Sequence, residues 1–267
     1  MSTLVVKYGG SVRDEGRYLE EDIAHFAGTG QRLVVVHGGG PEISRHLARL
    51  GLPAQFVAGQ RVTDAETLDV VEMVLAGRVG KRIVRALQAR GVRAVGISGE
   101  DAMLLRTVPF DTQESLGFVG QVERVDSRIL EVLLAAGYLP VVAPLGVDAN
   151  GQVRNINADV AAGAMSAALC ADAFVLATDV VGVMESATSL HAVPELSVAQ
   201  ALDWIASGII SGGMVPKVMA AVAAVQQGAR AAYIVDGRQA GILDAVMTHG
   251  RVGTRITGGE DRGGHDG

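Results

Sequence analysis

Continuously apolar runs recur along the chain, separated by segments with helical periodicity. The apolar runs cover residues 4–8, 33–37, 92–97, 138–143, 173–178 and 231–236. Because apolar residues in these runs do not alternate with polar ones, they are typical of strands covered on both faces. The segments between them predict helices over 65–90, 127–136, 158–170, 197–207 and 215–227. This alternation predicts an α/β fold, a three-layer αβα sandwich with a mainly parallel central sheet.

Two segments depart from this alternation. Residues 103–125 contain the runs LLRTV and GFVGQVERV and predict a β-hairpin. Residues 258–267, GGEDRGGHDG, are rich in glycine and charge and predict a flexible tail. Because 1–257 shows no internal repeat and no clear linker, we expect a single domain there.

Glycine-rich and charged loops follow the carboxyl ends of the predicted strands. They are KYGGS, HGGGP, GISGED, APLG, ATDVVG and VDGR. In open α/β sheets, ligands bind at this edge. The stretch RLVVVHGGGPEIS, residues 32–44, predicts a strand, a tight turn and a helix start, with Pro41 suited to the first helical turn. A single glycine loop can be a simple turn, but six on one edge predict an anion-binding site.

Composition narrows the class of protein. The 267 residues are 49% hydrophobic and carry a net charge of −6, so no basic field favours a nucleic acid partner. Cys170 is the one cysteine, which excludes an intrachain disulfide framework and suits a reducing cytoplasm. The first residues already form a predicted strand rather than a signal peptide, and the apolar runs are too weak for a membrane span. We therefore expect a cytoplasmic protein without a membrane partner.

Two lysines lie in locally unfavourable places. Lys7 ends a buried strand, where an ammonium group is costly unless it reaches water or an anion. Lys217 follows Pro216 in the first turn of a predicted helix, where it opposes the helix dipole by about 0.3–1 kcal/mol. A bound polyanion would reverse that effect. The alternatives are a strand-end lysine that extends to solvent and a solvated helix lysine.

Four further residues are candidates for a role in the site. Asp159 is interpreted as a helix N-cap or a first-turn carboxylate. Arg61 offers a planar guanidinium for a carboxylate, although a surface arginine is the ordinary alternative. Asp179, at a strand end, could hold a ribose or a metal or simply cap a turn. His37 is expected to be a hydrogen-bonded structural histidine rather than a catalytic one.

Standard motifs are absent from the sequence. It contains no GxxxxGK[ST], no GxGxxG, no GxSxG and no Cys/His metal spacing. No protein-held metal is therefore predicted. Two lysines, several glycine turns and one aspartate are suited to phosphoryl transfer, because that chemistry needs positioning and charge neutralisation rather than a covalent nucleophile.

At these residues the chain resembles the amino acid kinase superfamily, from about Leu4 to Ile256. The matching motifs are VVKYGGS, VVVHGGGPEIS, GQRVTD, GYLPVVAPLG, NINADVAAGAMSAAL, LATDVVGV, SGGMVPKV and GTRI. Their order and spacing are most similar to members that phosphorylate N-acetyl-L-glutamate in arginine biosynthesis. The resemblance implies the amino acid kinase fold and ATP-dependent phosphorylation of the side-chain carboxylate to an acyl phosphate.

The resemblance also implies residue roles. Lys7 and Lys217 would neutralise the transferring phosphoryl group, with Asp159 orienting both. Gly10 and Gly39 would donate backbone N–H groups to the phosphate. The substrate N-acetyl-L-glutamate would be held by Gly39, Gly40, Arg61 and Asn155. The ATP site would be lined by Asp179, Val180, Val181, Gly182, Val183, Met184, Ile209, Ile210 and Ser211, and Mg²⁺ would arrive on the nucleotide phosphates.

The same resemblance implies a domain organisation and an assembly. Residues 1–172 would form the substrate-binding and dimerisation lobe, and 173–257 the ATP-binding lobe. Because the first strand begins near Met1, we expect no preceding helix, and hence a homodimer joined through 65–90 that L-arginine does not inhibit. Two alternatives stay open: a lysine-biosynthesis kinase acting on a carrier-protein-linked aminoadipate or glutamate, and a catalytically inactive nucleotide or amino acid sensor.

Overall fold

The protein, as a computed structural model, is described for residues 2–9, 17–57, 59–110, 116–186, 189, 191–248, 250 and 252–259. The strands are β1 (Thr3–Tyr8), β2 (Arg32–His37), β3 (Phe56–Val57), β4 (Gln60–Arg61), β5 (Ala94–Ser98), β6 (Leu105–Pro109), β7 (Gly120–Val125), β8 (Leu139–Ala143), β9 (Leu145–Val147), β10 (Val153–Asn155), β11 (Ala173–Thr178), β12 (Glu195–Ser197), β13 (Ala232–Asp236) and β14 (Thr254–Thr257). The helices are α1 (Arg17–Gly28), α2 (Gly40–Arg49), α3 (Ala65–Glu72), α4 (Gly80–Gln88), α5 (Arg128–Ala135), α6 (Ala158–Ala168), α7 (Val198–Ala206), α8 (Met214–Gln226) and α9 (Ile242–Thr248).

An eight-stranded sheet forms the centre of the molecule. Its strand order is β12-β14-β13-β11-β1-β2-β8-β5. The pairs from β13 to β5 are parallel, whereas β14 pairs antiparallel with β13 and parallel with β12. The six predicted strands correspond to β1, β2, β5, β8, β11 and β13, which run parallel to one another. Their carboxyl ends therefore meet at one edge, where the glycine loops lie.

Two apolar cores flank the sheet. The first joins Leu4 and Val6 of β1 to buried residues of α1, α2, the helical stretch 65–88 and α9. The second joins Val5 to buried residues of α5, α6, α7 and α8. Because side chains of a strand alternate between its faces, the central strands β1, β2, β8, β11 and β13 contribute to both cores. The predicted three-layer αβα sandwich is confirmed.

The predicted hairpin is present as β6 and β7, which pair antiparallel. It belongs to a second, four-stranded sheet of order β10-β9-β6-β7. The sequence pattern gave no prediction for β9 and β10, which are short strands of three residues each. This small sheet leads directly into α6 and so positions its first turn.

The predicted helix over 65–90 is one continuous helical stretch with a π-helical turn at Met73–Val79 between α3 and α4. Asp64 caps its start, since its side chain accepts a hydrogen bond from Thr67 N at 2.8 Å. The other four predicted helices correspond to α5, α6, α7 and α8. No helix within the described ranges has both the length and the apolar character needed to cross a bilayer.

Candidate active site

Strand alternation directs Lys7 toward the layer that contains α6 and α8. In β1, Val5 belongs to the core on that side, and Lys7 lies two residues further along. Its neighbours across the sheet are Val36 of β2 and Leu176 of β11. The ammonium group is therefore nearly buried at the carboxyl edge of the central strands, with a side-chain exposure of 11%.

Asp159 lies in the first turn of α6 and is not its N-cap. The cap is Asn157, whose side-chain oxygen accepts hydrogen bonds from Asp159 N at 2.8 Å and Val160 N at 3.4 Å. Of the two interpretations of Asp159, the first-turn carboxylate is correct. Because Asn157 satisfies the helix end, the Asp159 carboxylate is available to the two lysines.

Lys217 reaches the same point from α8. Helices α6 and α8 pack closely through small residues, and a Cβ on Gly163 would lie 3.0 Å from the backbone oxygen of Ala220. This close approach brings the N-terminal turns of both helices together. Both turns are positive ends of helix dipoles, which favour an anion.

The three charged groups form one cluster, the Lys–Asp–Lys triad of Lys7, Asp159 and Lys217, in which Lys7 and Asp159 are buried and Lys217 is partly exposed. Lys7 Nζ lies 2.8 Å from Asp159 Oδ1, and Lys217 Nζ lies 3.3 Å from Oδ2. Burial alone would raise the pKa of Asp159, but the charges of Lys7 and Lys217 outweigh it and hold that pKa below its ordinary value. The triad carries a net charge of about +1 at neutral pH, from two ammonium groups and one carboxylate.

The glycine loop of residues 38–40 joins β2 to α2 beside the triad. Gly38 N donates to Tyr8 O at 3.2 Å, and a Cβ on Gly38 would lie 3.9 Å from Ala158 Cβ. Gly39 is the N-cap of α2, and a Cβ there would lie 2.5 Å from Leu75 Cδ2. A larger residue at Gly39 would therefore force the Leu75 side chain to move. Gly10, the other predicted phosphate contact, lies outside the described residues.

Arg61 is buried beside this loop. Its Nη2 donates to Gly40 O at 3.1 Å and to Ser44 Oγ at 2.7 Å, and its guanidinium stacks 4.6 Å from the Phe56 ring centroid. Burial lowers the pKa of the Arg61 guanidinium from its ordinary value, and an arginine side chain stays charged in proteins. Its Nη1 is buried and has no hydrogen-bond partner in the described part of the chain. A buried charged donor without a partner is costly, so this atom suits a ligand carboxylate.

Asn155 is linked to Arg61 through Thr63. Asn155 Nδ2 donates to Thr63 Oγ1 at 3.2 Å, and Thr63 Oγ1 donates to the backbone oxygen of Arg61 at 3.0 Å. Asn155 lies four residues before Asp159, at the end of β10. The predicted substrate residues Gly39, Gly40, Arg61 and Asn155 therefore surround the start of α2 next to the triad.

The predicted nucleotide segments line one pocket of about 460 Å³. Its walls come from two stretches, residues 180–184 after β11 and residues 209–211 before α8, together with Ser186 and Met214. Met214 is the first residue of α8, so the pocket adjoins the helix that carries Lys217. Its size and largely apolar wall suit part of a nucleotide.

The first wall of this pocket is fixed by Thr254 of the GTRI motif. Val183 N donates to Thr254 Oγ1 at 2.8 Å, and Thr254 Oγ1 donates to Val193 O at 2.6 Å. Gly182 has a φ of +142°, and a Cβ there would lie 2.8 Å from Thr254 Oγ1. Glycine is required at this position for both reasons.

Two other candidates have local partners. Thr178 Oγ1 donates to Asp179 Oδ1 at 3.0 Å, and Arg238 Nη2 donates to the Asp179 backbone oxygen at 3.0 Å. Asp179 directly follows β11 and lies beside the pocket wall.

His37 is completely buried, and its Nδ1 lies 3.1 Å from Gly38 O. Burial lowers the pKa of His37 to about 4. As expected, it is a neutral structural histidine at pH 7.

Sequence reasoning missed several residues that position the site: Asn157, Thr63, Ser44 and Met214. Only Asn157 had a usable signal, since asparagine before a helix start is a preferred N-cap. The other three act through distant contacts that no local pattern records. Within the described ranges, His, Cys, Asp and Glu side chains form no group that could hold a metal ion.

Comparison with known families agrees with this geometry. The Amino acid kinase family profile matches residues 2–236, which include the triad, the glycine loop and the nucleotide pocket. The chain belongs to the amino acid kinase family.

Individual family members are similar over almost the whole chain. An acetylglutamate kinase of Synechococcus sp. is 46% identical over 261 residues, which cover 96% of this chain and 86% of that protein. The chloroplastic acetylglutamate kinase of Arabidopsis thaliana is 42% identical over 261 residues, covering 96% of this chain and 75% of that protein. The solved structure of N-acetylglutamate synthase from Neisseria gonorrhoeae, complexed with coenzyme A and N-acetyl-glutamate, has a TM-score of 0.84 at 26% identity and covers all of this chain and 62% of that one.

Proposed function

We propose that this protein transfers the γ-phosphoryl group of ATP to the side-chain carboxylate of N-acetyl-L-glutamate, a step of arginine biosynthesis. The observation that carries the proposal is the Lys–Asp–Lys triad beside Arg61, whose buried Nη1 has no partner in the described part of the chain. The triad supplies positive charge for a phosphoryl group, and Arg61 supplies a donor for a carboxylate. The acetylglutamate kinases that align with 96% of the chain support this substrate.

One group of residues binds the amino acid substrate. Arg61 and Asn155, with the backbone of Gly39 and Gly40, hold the amino acid so that its side-chain carboxylate faces the triad. A carboxylate oxygen forms a bond to the γ-phosphorus, and the bond from that phosphorus to the β-phosphate oxygen breaks. ADP leaves with the electron pair, and the product is the acyl phosphate.

Lys7 and Lys217 stabilise this transition state by neutralising the oxygens of the transferring group. In the resting protein both ammonium groups bind Asp159, which fixes their positions before substrate arrives. Such preorganised charge is effective because no reorganisation is needed during the reaction. Backbone N–H groups of Gly10 and Gly39 would add hydrogen bonds to the same oxygens.

ATP would occupy the pocket between residues 180–184 and 209–211, with its phosphates directed to the start of α8. The N-terminal turns of α6 and α8 and the two lysines suit the polyphosphate. Mg²⁺ would be held by the nucleotide phosphates, where it neutralises charge that develops during transfer. Asp179, at the edge of the same wall, would contact the nucleotide rather than a protein-held metal.

We also propose two lobes, a homodimer and a cytoplasmic location for this protein. Residues 1–172 would form the substrate-binding and dimerisation lobe and 173–257 the ATP-binding lobe, since the two predicted ligand sites divide at that boundary. A homodimer joined through the 65–88 helical stretch and a cytoplasmic location complete the proposal. The single cysteine of the sequence suits a reducing compartment.

A coupled ADP-release assay tests the activity. N-acetyl-L-glutamate, L-glutamate, L-aspartate and carbamate would be compared at equal concentration with MgATP. We expect turnover with N-acetyl-L-glutamate to exceed the others by at least about 100-fold, since an active site that binds the acetyl amide rejects substrates without it. Preference for another acceptor, or nucleotide binding without any turnover, would contradict the proposal.

A further inference from the structure

The π-helical turn at Met73–Val79 lies directly against the glycine loop. A Cβ on Gly39 would meet Leu75 Cδ2 at 2.5 Å and Val79 Cγ2 at 3.4 Å. A Cβ on Gly80, immediately after the turn, would meet His37 Nε2 at 3.1 Å. A π turn contains an extra residue relative to an α turn and therefore widens the helix locally. The long helix thus forms the surface on which residues 37–39 rest.

Glu42 connects the same helix to α2 by charge. It is the third residue of α2, and its carboxylate is 1% exposed. Oε1 lies 2.9 Å from Nε of Arg78, which belongs to the π turn, and Oε2 lies 2.9 Å from Nη1 of Arg45, which belongs to α2. Arg82 of α4 adds a longer contact, with Nη1 at 3.8 Å from Oε2.

A buried carboxylate is weak evidence for stability, because its desolvation offsets much of the attraction to its partners. A well-packed apolar residue in its place is often neutral or stabilising. Charge pairs have a better-attested role in fixing how two elements are placed relative to each other. The elements fixed here are the first turn of α2 and the π turn.

The first turn of α2 carries the substrate contacts. Gly39 is its N-cap, and Gly40 O and Ser44 Oγ both accept hydrogen bonds from Arg61 Nη2. A shift of this turn would therefore move the backbone N–H groups of the glycine loop and the guanidinium of Arg61 together. In enzymes, a misplacement of about 1 Å can cost about 100-fold in rate.

We infer that Glu42 is a positioning residue for the phosphoryl-transfer reaction, acting with Arg78. The ion pair between them, the Glu42–Arg78 bridge, holds the start of α2 against the π turn and so sets the positions of Gly39, Gly40 and Arg61. The inference rests on the proposed function for its kinetic readout, but the bridge itself also predicts a structural effect that is independent of activity.

The test compares Glu42→Gln, Arg78→Ala and the double variant with the wild-type protein. Each single variant should raise the KM for N-acetyl-L-glutamate about tenfold, because Gly40 and Arg61 move, and should lower kcat, because the Gly39 N–H moves as well. The KM for ATP should stay within about twofold, since the residues of the nucleotide pocket lie on other elements. The double variant should be no worse than Glu42→Gln alone, because that single variant already lacks the bridge to Arg78. Hydrogen exchange at the amides of residues 42–45 should be faster in every one of them.

Arg45→Ala is the matched control. Arg45 and Arg78 lie at the same distance from the Glu42 carboxylate, with side-chain exposures of 49% and 57%, but only Arg78 connects two elements. Arg45→Ala should therefore keep wild-type kinetics and exchange. Additive losses in the double variant, equal changes in both KM values, or matching effects of Arg45→Ala and Arg78→Ala would overturn the inference.

Two further outcomes are distinguishable. If Glu42→Gln does not fold, the half-exposed Arg78→Ala still tests the bridge by the same readouts. If the wild-type protein does not phosphorylate N-acetyl-L-glutamate, the proposed function fails, and the exchange comparison between Arg78→Ala and Arg45→Ala alone decides the inference.

Discussion

The charged side chains of the site are held in place by specific neighbours, and Lys7, Arg61 and Asp159 are buried there. Asp159 stays ionised because Lys7 and Lys217 contact its two oxygens. Arg61 stacks on Phe56 and uses one nitrogen for Gly40 and Ser44 while Nη1 is left for a ligand. Single substitutions at these positions should therefore give selective effects.

Arg61→Lys should weaken binding of the amino acid before it affects the nucleotide. Lysine keeps the charge but loses the planar donor pair that can hold Gly40 and a carboxylate at once. We expect the KM for N-acetyl-L-glutamate to rise about 10- to 100-fold, in line with loss of a charged hydrogen bond of about 1.5–3 kcal/mol. The measurement is steady-state kinetics with each substrate varied, with the exposed Arg49→Lys as control. Equal rises in both KM values would show that Arg61 does not contact the amino acid.

His37 should make the fold sensitive to acid. Its pKa is lowered from 6.5 to about 4 by burial, so the unfolded chain binds more protons between these values. The contribution is fully present above about pH 6.5 and is lost as pH falls toward 4, by up to about 3 kcal/mol.

The check is urea unfolding of wild type and His37→Asn between pH 7 and 4.5. Asparagine can keep the hydrogen bond to Gly38 O but does not titrate. We expect a flatter pH profile of the unfolding free energy in His37→Asn, whereas exposed His25→Asn should follow the wild type. Parallel profiles for all three proteins would show that His37 does not control this pH dependence.

Among the helices, the packing of α6 against α8 determines how close Asp159 lies to Lys217. Both helices are rich in alanine, and Gly163 lets their backbones approach until a Cβ would lie 3.0 Å from Ala220 O. Asp159 and Lys217 occupy the adjacent first turns of the two helices. The distance between these helices therefore sets the distance between the two charges.

Gly163→Val should separate the two helices. Overpacking of about 1–3 kcal/mol corresponds to a decrease in Tm of about 5 °C for a chain of this size. Turnover should fall as well, since Lys217 moves away from Asp159. Differential scanning calorimetry and kinetics check this, with Ala168→Val at the exposed end of α6 as control. An unchanged Tm in Gly163→Val would show that the contact between α6 and α8 can accommodate a larger side chain without destabilising the protein.

The sequence allowed elements with a strong hydrophobic pattern to be predicted. It did not allow prediction of elements that depend on tertiary contacts. The parallel strands were predictable because burial on both faces makes them continuously apolar, as in residues 33–37 and 173–178. β9 and β10 were not, since strands of three residues have too little periodicity. The π turn at Met73–Val79 was not either, because its residues continue an ordinary amphipathic helix.

The same division holds for the site. Lys7 and Lys217 were recognisable because each violates a local rule, and the order of the motifs added Gly39, Asn155 and the nucleotide segments. Glu42 and Thr63 act between elements distant in sequence, so no local pattern marks them.

At the scale of the whole molecule, the long helical stretch exposes apolar surface that a second subunit would cover. Met73 is 61% exposed in the π turn. Light scattering should give about 55 kDa, twice the chain mass of 27.6 kDa. Met73→Arg should shift the mass toward that of the monomer, whereas Met219→Arg, on the exposed side of α8, should not. A monomeric wild type, or equal effects of the two variants, would contradict the proposed dimer.

The triad is also a property of the whole molecule, because its members come from β1, α6 and α8. We propose that its two lysines, which lie far apart in sequence, stabilise one transferring phosphoryl group. The most direct test traps the acyl phosphate with hydroxylamine and measures hydroxamate formed from N-acetyl-L-glutamate and MgATP. Lys7→Ala and Lys217→Ala should each lower kcat by about 100-fold or more. Lys81→Ala is the control and should keep wild-type turnover, because the described hydrogen bond of Lys81 is to the Gly96 carbonyl oxygen. Near-normal hydroxamate formation by both triad variants would show that the two lysines do not stabilise the transferring phosphoryl group.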